Sequence, residues 1–386
     1  MRPDSLTWAP PFYFLYYAAA AALVPFLVLY YQEIGLTGTQ IGLLTGLFPL
    51  ISWISAPAWG ALADRTGRHR LLLVVMIGGA MGWALALPAL RAFAWLVPAV
   101  ALFSFFFAPI MPVVDSTTMH LLGARKESYG RIRLWGAIGW GVAAPIVGQL
   151  TESGGLRWLF WAFAGLLGLC LPLVRSIPPV QRNGASPRWE LRRFWKDPRW
   201  PTFLVATFCG GAVLSVIGNF LFIFLDGLGA DRRTLGLMLT AATLSELPVL
   251  FLSDRMLGRW SARQLIGAAL FLYAVRGAAL SALSTPTPAL FLQLLHGPTF
   301  SLMWFAGVSY ADAIAPAGFA ATAQGLFSGV LLGIGSAGGA MVGGVVYEHF
   351  GPVNLFRFAA LISLVGLGFL LLRRDYEPSV RPSGGR

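Results

Sequence analysis

Apolar residues dominate this 386-residue chain in long windows separated by short polar breaks. The windows fall at roughly 9–32, 39–62, 71–91, 93–116, 134–151 and 157–175. After a polar interval they resume at roughly 200–226, 234–253, 264–283, 288–312, 321–347 and 352–372. A helix needs roughly 20 apolar residues to cross a bilayer. The pattern predicts an all-α integral membrane protein with twelve transmembrane helices in two sets of six. The first window is too long for a signal peptide and no small-residue cleavage site follows it, so it is expected to stay as helix 1.

Composition agrees and narrows the class. Hydrophobic residues make up 57% of the chain and charged residues 11%, against about 25% charged in a typical soluble domain. A soluble enzyme, a nucleic-acid-binding domain and a disordered tail protein are excluded. The net charge of +12 comes from basic residues in short clusters between apolar windows, which is the positive-inside pattern and not one binding face. About 22 of the 28 Lys and Arg lie at the N-terminus, in alternate loops and in the tail. Both termini are therefore expected in the cytoplasm, with the chain in the plasma (inner) membrane. Cys170 and Cys209 lie in apolar windows and read as small core residues.

Residues 176–199 form the longest interval, dividing the chain into expected bundles at 1–175 and 200–386. The segment from Trp189 to Lys196 reads as a short helix in the headgroup layer, or equally as a solvated basic linker. An internal repeat relates the two sets. Asp64 and Arg65 follow helix 2 as Asp254 and Arg255 follow helix 8, and Asp115 ends helix 4 as Asp312 ends helix 10. Gly139–Gly141 corresponds to Gly333–Gly335, and Glu152 to Glu348. Two halves in one orientation imply a pseudo-two-fold axis along the membrane normal with a site between them.

The loop after helix 2 carries Gly60, Asp64, Arg65, Gly67, Arg68 and Arg70. It resembles the signature of the major facilitator superfamily, which implies the major facilitator fold of two pseudo-symmetric six-helix bundles. Gly60 would allow close helix approach and Gly67 a tight turn. The resemblance implies that Asp64 faces the N-terminal end of helix 11, latching the cytoplasmic side when the transporter opens outward. The repeat copy at Asp254 and Arg255 has one extra residue before its glycine and forms a looser version.

Charges inside spans are costly and mark functional sites. Asp115, Arg133, Trp140, Glu246, Arg276 and His296 stand out. Arg276 and His296 fall at similar depth, roughly 19 Å and 12 Å from opposite edges at 1.5 Å per residue. Glu246 is the carboxylate well inside a span of the second half, so it and Arg276 are natural partners. The pair is either functional or a self-neutralising structural one. Asp115 and Arg133, with the run from Tyr129 to Trp140, resemble the galactoside, nucleoside and phenylpropionate proton symporters of that superfamily. There a carboxylate on helix 4 and an arginine on helix 5 recognise substrate. By that resemblance Trp140 stands where an aromatic stacks on sugar, although interfacial packing is an equal reading. Arg276 and His296 match the arginine of helix 9 and histidine of helix 10. The segments from Ser245 to Pro248 and from Gln293 to Thr299 look closer to the phenylpropionate branch.

Two departures matter. Thr299 stands where galactoside permeases carry the proton-bearing glutamate, and Gln293 where they carry a lysine. Glu246 is then the first expected proton carrier, followed by His296 and Asp115. The expected function is proton-coupled uptake of a small organic solute, namely a sugar, nucleoside or aromatic acid, by alternating access. The energy source is the proton gradient, with no cofactor and no metal site. The expected partners are that solute and the lipid bilayer, with no nucleic acid and a monomeric state. An efflux antiporter and a non-transporting membrane sensor are the alternatives. No phosphate-binding loop or paired-histidine motif supports an enzyme.

Overall fold

The computed structural model describes residues 6–123, 129–178, 194, 196–316 and 319–372, and every regular element among them is helical. In chain order the helical stretches are α1 (Ala9–Glu33), α2 (Gly38–Thr66), α3 (His69–Ala89), α4 (Phe93–Leu122), α5 (Tyr129–Gly154) and α6 (Trp158–Arg175). After the interval come α7 (Arg199–Gly227), α8 (Arg232–Phe251), α9 (Ala262–Ser281), α10 (Thr287–Ala313), α11 (320–350) and α12 (352–371). Ten stretches of the described residues are long and apolar enough to cross a membrane; one of them, Thr322–Leu371, contains both α11 and α12. They separate at Gly351, whose φ of 79° lies in the left-handed region, just before Pro352. The 26-residue α5 is not among the ten, since Arg131, Arg133, Gln149 and Glu152 dilute its hydropathy.

Local chemistry explains the ends. Thr37 and Gln40 form a capping box at the start of α2, as Ser261 and Gln264 do for α9. Asp231 caps α8 by accepting from Thr234 N at 2.6 Å. Proline marks the interruptions: α1 breaks around Pro25 and α4 at Ala108–Pro109. Leu134, Ile138, Val142, Ile146 and Leu150 leave an exposed apolar stripe at four-residue spacing along α5, the face a helix turns to lipid.

The helices before and after the interval meet toward one end of the molecule. Glycines make the meeting close. A Cβ on Gly42 of α2 would sit 2.4 Å from Ala340 O of α11, and one on Gly236 of α8 would sit 2.5 Å from Ala144 O of α5. Two carboxylates add crossed bonds there. Glu348, ending α11, accepts from Thr39 N in the first turn of α2 at 2.8 Å. Glu152, ending α5, accepts from Arg232 N in the first turn of α8 at 2.9 Å. Both carboxylates sit at the positive end of a helix dipole. Arg232 also donates to Thr151 O at 2.7 Å and lies 3.7 Å from Glu33. The deepest such bond among the described residues runs from Thr240 Oγ1 to Gly141 O at 2.7 Å, about 12 Å from the start of α8.

Toward the other end the two sets part. Trp53 touches Gly329 and Gly333 of α11, but nothing lies within 4 Å of a Cβ built on Gly60 or Gly325. Among the described residues the two sets join at the Glu152/Glu348 end and stand apart at the Asp64 end. Of the expected headgroup helix, residues 189–193 and 195 lie outside the described residues. Phe194 is buried edge-on against Trp200 at 4.9 Å and so anchors to α7.

Candidate functional site

The first cluster joins α1, α4 and α5. Gly136 and Gly139 let α5 lie directly on α1: a Cβ at either would come within 2.4 Å of Tyr17 or Phe14. That contact sets the Arg133 guanidinium 4.5 Å over the Tyr17 ring, a cation–π arrangement. The Pro109 interruption of α4 leads into the segment bearing Asp115, whose carboxylate accepts a short hydrogen bond from the Tyr13 hydroxyl. Tyr129 faces the same carboxylate. Asp115 and Arg133 form no ion pair with each other among the described residues; a tyrosine of α1 holds each. Trp140 is half-buried and packs against the cluster of Ala18, Ala21, Ala143 and Ala144.

The second cluster joins α8, α9 and α10. Arg276 is 2% exposed, and the groups on its guanidinium are neutral. Its Nη2 donates to Gln293 Oε1 and its Nη1 lies 3.2 Å from His296 Nδ1, while Nε has no partner. His296 Nε2 in turn lies 3.3 Å from Glu246 Oε1. Arginine only donates, so Nδ1 must accept, and the proton then sits on Nε2, directed at Glu246. The expected Glu246–Arg276 pair is therefore corrected to a relay through the imidazole. Histidine fills the space between α9 and α8, so the two charges do not meet. Thr299, in the place of the galactoside glutamate, is fully buried and turns its hydroxyl onto its own helix at Leu295 O, 2.8 Å away. It offers no titratable group.

The Asp64 loop sits at the open end. Gly67 takes φ 66° and ends α2, as its place in the motif predicts. Asp64 is 55% exposed and 3.8 Å from His69 Nε2. Arg70 donates from Nε to Ile177 O, tying α3 to the end of α6. Arg65 and Arg68 are both exposed. Gly60, expected to bring helices together, meets open space because the sets have parted there. The repeat copy is a short helix, Ser253–Arg259, with Asp254 in its first turn and Asp254 and Arg255 exposed.

Sequence reasoning missed Tyr13 and Tyr17. Their signal was the density of aromatic residues in the first window, which carries Phe12, Tyr13, Phe14, Tyr16 and Tyr17.

Comparison with known proteins places this geometry. The model of the MFS_1 like family matches residues 6–358. Maltose permease of Geobacillus stearothermophilus is 29% identical over 376 residues, covering 95% of this chain and 94% of its own. A probable 3-phenylpropionic acid transporter of Escherichia coli (strain K12) is 24% identical over 383 residues, covering 97% and 99%. Among solved structures, nucleoside transporter NupG superposes with a TM-score of 0.86 at 17% identity, covering 96% of this chain and 99% of that one.

Proposed function

Because the chain belongs to the MFS_1 like family of major facilitator transporters, we propose that it takes up a small hydroxyl-rich solute, a sugar first among them, in symport with protons. The observation that carries this is the relay from Glu246 through His296 to the buried Arg276. With Glu246 ionised the cluster is neutral. A proton on Glu246 removes the charge that balances Arg276, and a buried unbalanced arginine favours a solute oxygen as its new acceptor. Proton and solute then each raise the other's affinity, as linkage requires. Asp115 with Arg133 binds the solute from the opposite bundle, with Trp140 beside them; Asp115 and His296 are the secondary proton groups. The sugar assignment draws on the maltose permease likeness and on carboxylates and guanidinia that both bond hydroxyls.

In this reading the chain crosses the inner membrane twelve times. Its bundles at 1–175 and 200–386 rock about the solute, with 176–199 joining them. Both termini and the Asp64 loop are cytoplasmic, so the closed end faces outward and the conformation is inward-open. Asp64, Arg65 and Arg68, with Asp254 and Arg255, latch the cytoplasmic side in the opposite state.

The test is transport in proteoliposomes. Glu246→Gln is expected to abolish uphill uptake under an imposed proton gradient and to leave solute exchange intact. Uphill uptake surviving in that variant would overturn the coupling assignment, and solute moving outward against protons would overturn the direction. Thermal stabilisation by sugars, nucleosides and phenylpropionate ranks the solute classes.

A further inference from the structure

Ser245 sits beside Glu246 on α8, and its hydroxyl enters the backbone ladder of α10. Its Oγ accepts from Gly297 N at 2.8 Å and lies 3.4 Å from Gln293 O. Gln293 O is the carbonyl that Gly297 N would bond in an uninterrupted α-helix, four residues back. The serine has taken over that bond, while its own proton goes to Ala242 O at 2.6 Å. The ladder opens at this point. A 3₁₀ turn at Gln293–Leu295 and a π turn at Gly297–Ser301 flank His296 on its two sides; Pro298, with no N–H to return to Leu294 O, opens the ladder here, and the Ser245 hydroxyl supplies the acceptor at Gly297 N. Gly297 makes the approach possible, since a Cβ there would lie 2.0 Å from Ser245 O. Gln293 and His296, the side chains that hydrogen-bond Arg276 among the described residues, ride on this opened stretch.

We propose that Ser245 is a positioning residue for the His296 relay: its hydroxyl holds α10 in the opened form that aims His296 at Glu246 and Arg276 together. The proposal rests on the proton-coupling reading of that relay. Pro298 keeps this stretch from becoming a regular helix, so losing the hydroxyl lets Gly297 N turn back toward Gln293 O; a shift of one residue's rise, about 1.5 Å, is enough to break a contact of 3.2–3.3 Å.

The test combines transport with ¹⁵N-histidine magnetic resonance of the full chain, where His69, His120 and His349 serve as internal references. In the parent, His296 should give one neutral tautomer protonated at Nε2. Ser245→Ala should move that signal and lower uphill accumulation about tenfold, the scale of one lost hydrogen bond. The other histidine signals should stay in place. Ser245→Thr, which keeps the hydroxyl, should restore both. Ser245→Cys, near in shape but a weak acceptor, takes the place of the alanine variant if that one fails to fold and should show the same loss. An unmoved His296 signal in the alanine or cysteine variant would overturn the proposal, as would a threonine variant no better than alanine. Failure of the coupling reading is separately visible: Glu246→Gln would then keep uphill uptake, while the His296 signal would still move in Ser245→Ala.

Discussion

The closed end depends on backbone approaching backbone, and a single methyl group tests it. In Gly42→Ala the new Cβ would lie 2.4 Å from Ala340 O and 2.8 Å from the Gly344 Cα. Ordinary contact begins at 3.4 Å, so α2 and α11 must separate by about 1 Å. Neither neighbour is a flexible side-chain tip that could swing aside. Overpacking of this kind costs about 1–3 kcal/mol, and if the cost falls only on the closed-end contact it shifts the conformational ratio by about 5–150-fold. Gly236→Ala does the same between α8 and α5, where the Cβ would lie 2.5 Å from Ala144 O and 2.7 Å from the Pro145 Cα. The readout is alkylation of a cysteine introduced by Ala337→Cys, at a position now 2% exposed beneath this interface. Native Cys170 and Cys209 are both buried and give a slow background. Gly42→Ala should accelerate the reaction at least fivefold, and Gly60→Ala, with open space around it, should not accelerate it. A folded Gly42→Ala protein alkylated at the parent rate would refute the claim that these glycine contacts hold the end shut.

Tyr13→Phe removes the hydroxyl that fixes Asp115. A hydrogen bond to a charged group contributes about 1.5–3 kcal/mol, so calorimetric solute affinity should fall roughly tenfold or more. Asp231→Ala removes the cap of α8 and should cost about 1 kcal/mol, read as a lower thermal midpoint. The Thr234 side chain and backbone N–H both hold the Asp231 carboxyl below its usual range. Its contribution is therefore fully present above the ordinary carboxylate range and is lost as pH falls through the lowered value. Parent and variant midpoints should converge in acid.

Helix placement was legible to within a few residues, because hydropathy over a span-length window is a local property. The window at 39–62 became Gly38–Thr66, and that at 288–312 became Thr287–Ala313. The charged residues within the apolar windows were legible as charges inside helices, since a charge in a long apolar run stands out by itself. Their partners were not. Asp115 binds Tyr13, 102 positions away, and no periodicity carries that separation. The Glu246–Arg276 expectation failed for a related reason: similar depth does not reveal which side chain lies between two helices. Ser245 was hidden more deeply, for a serine in a helix ordinarily bonds its own preceding turn. Only the neighbouring backbone shows that this one also bonds another helix.

Glu152 and Glu348 each end a helix in one set and bind the first turn of a helix in the other. The two contacts repeat one pattern, α5 to α8 and α11 to α2. Such a surface is isologous: the patch that gives the carboxylate also offers the amide that receives one. Either half would thus be complementary to a copy of itself at this end. A symmetric dimer of half-length chains could close there with no new interaction, and the joined chain needs only the interval at 176–199 to turn that dimer into a single molecule.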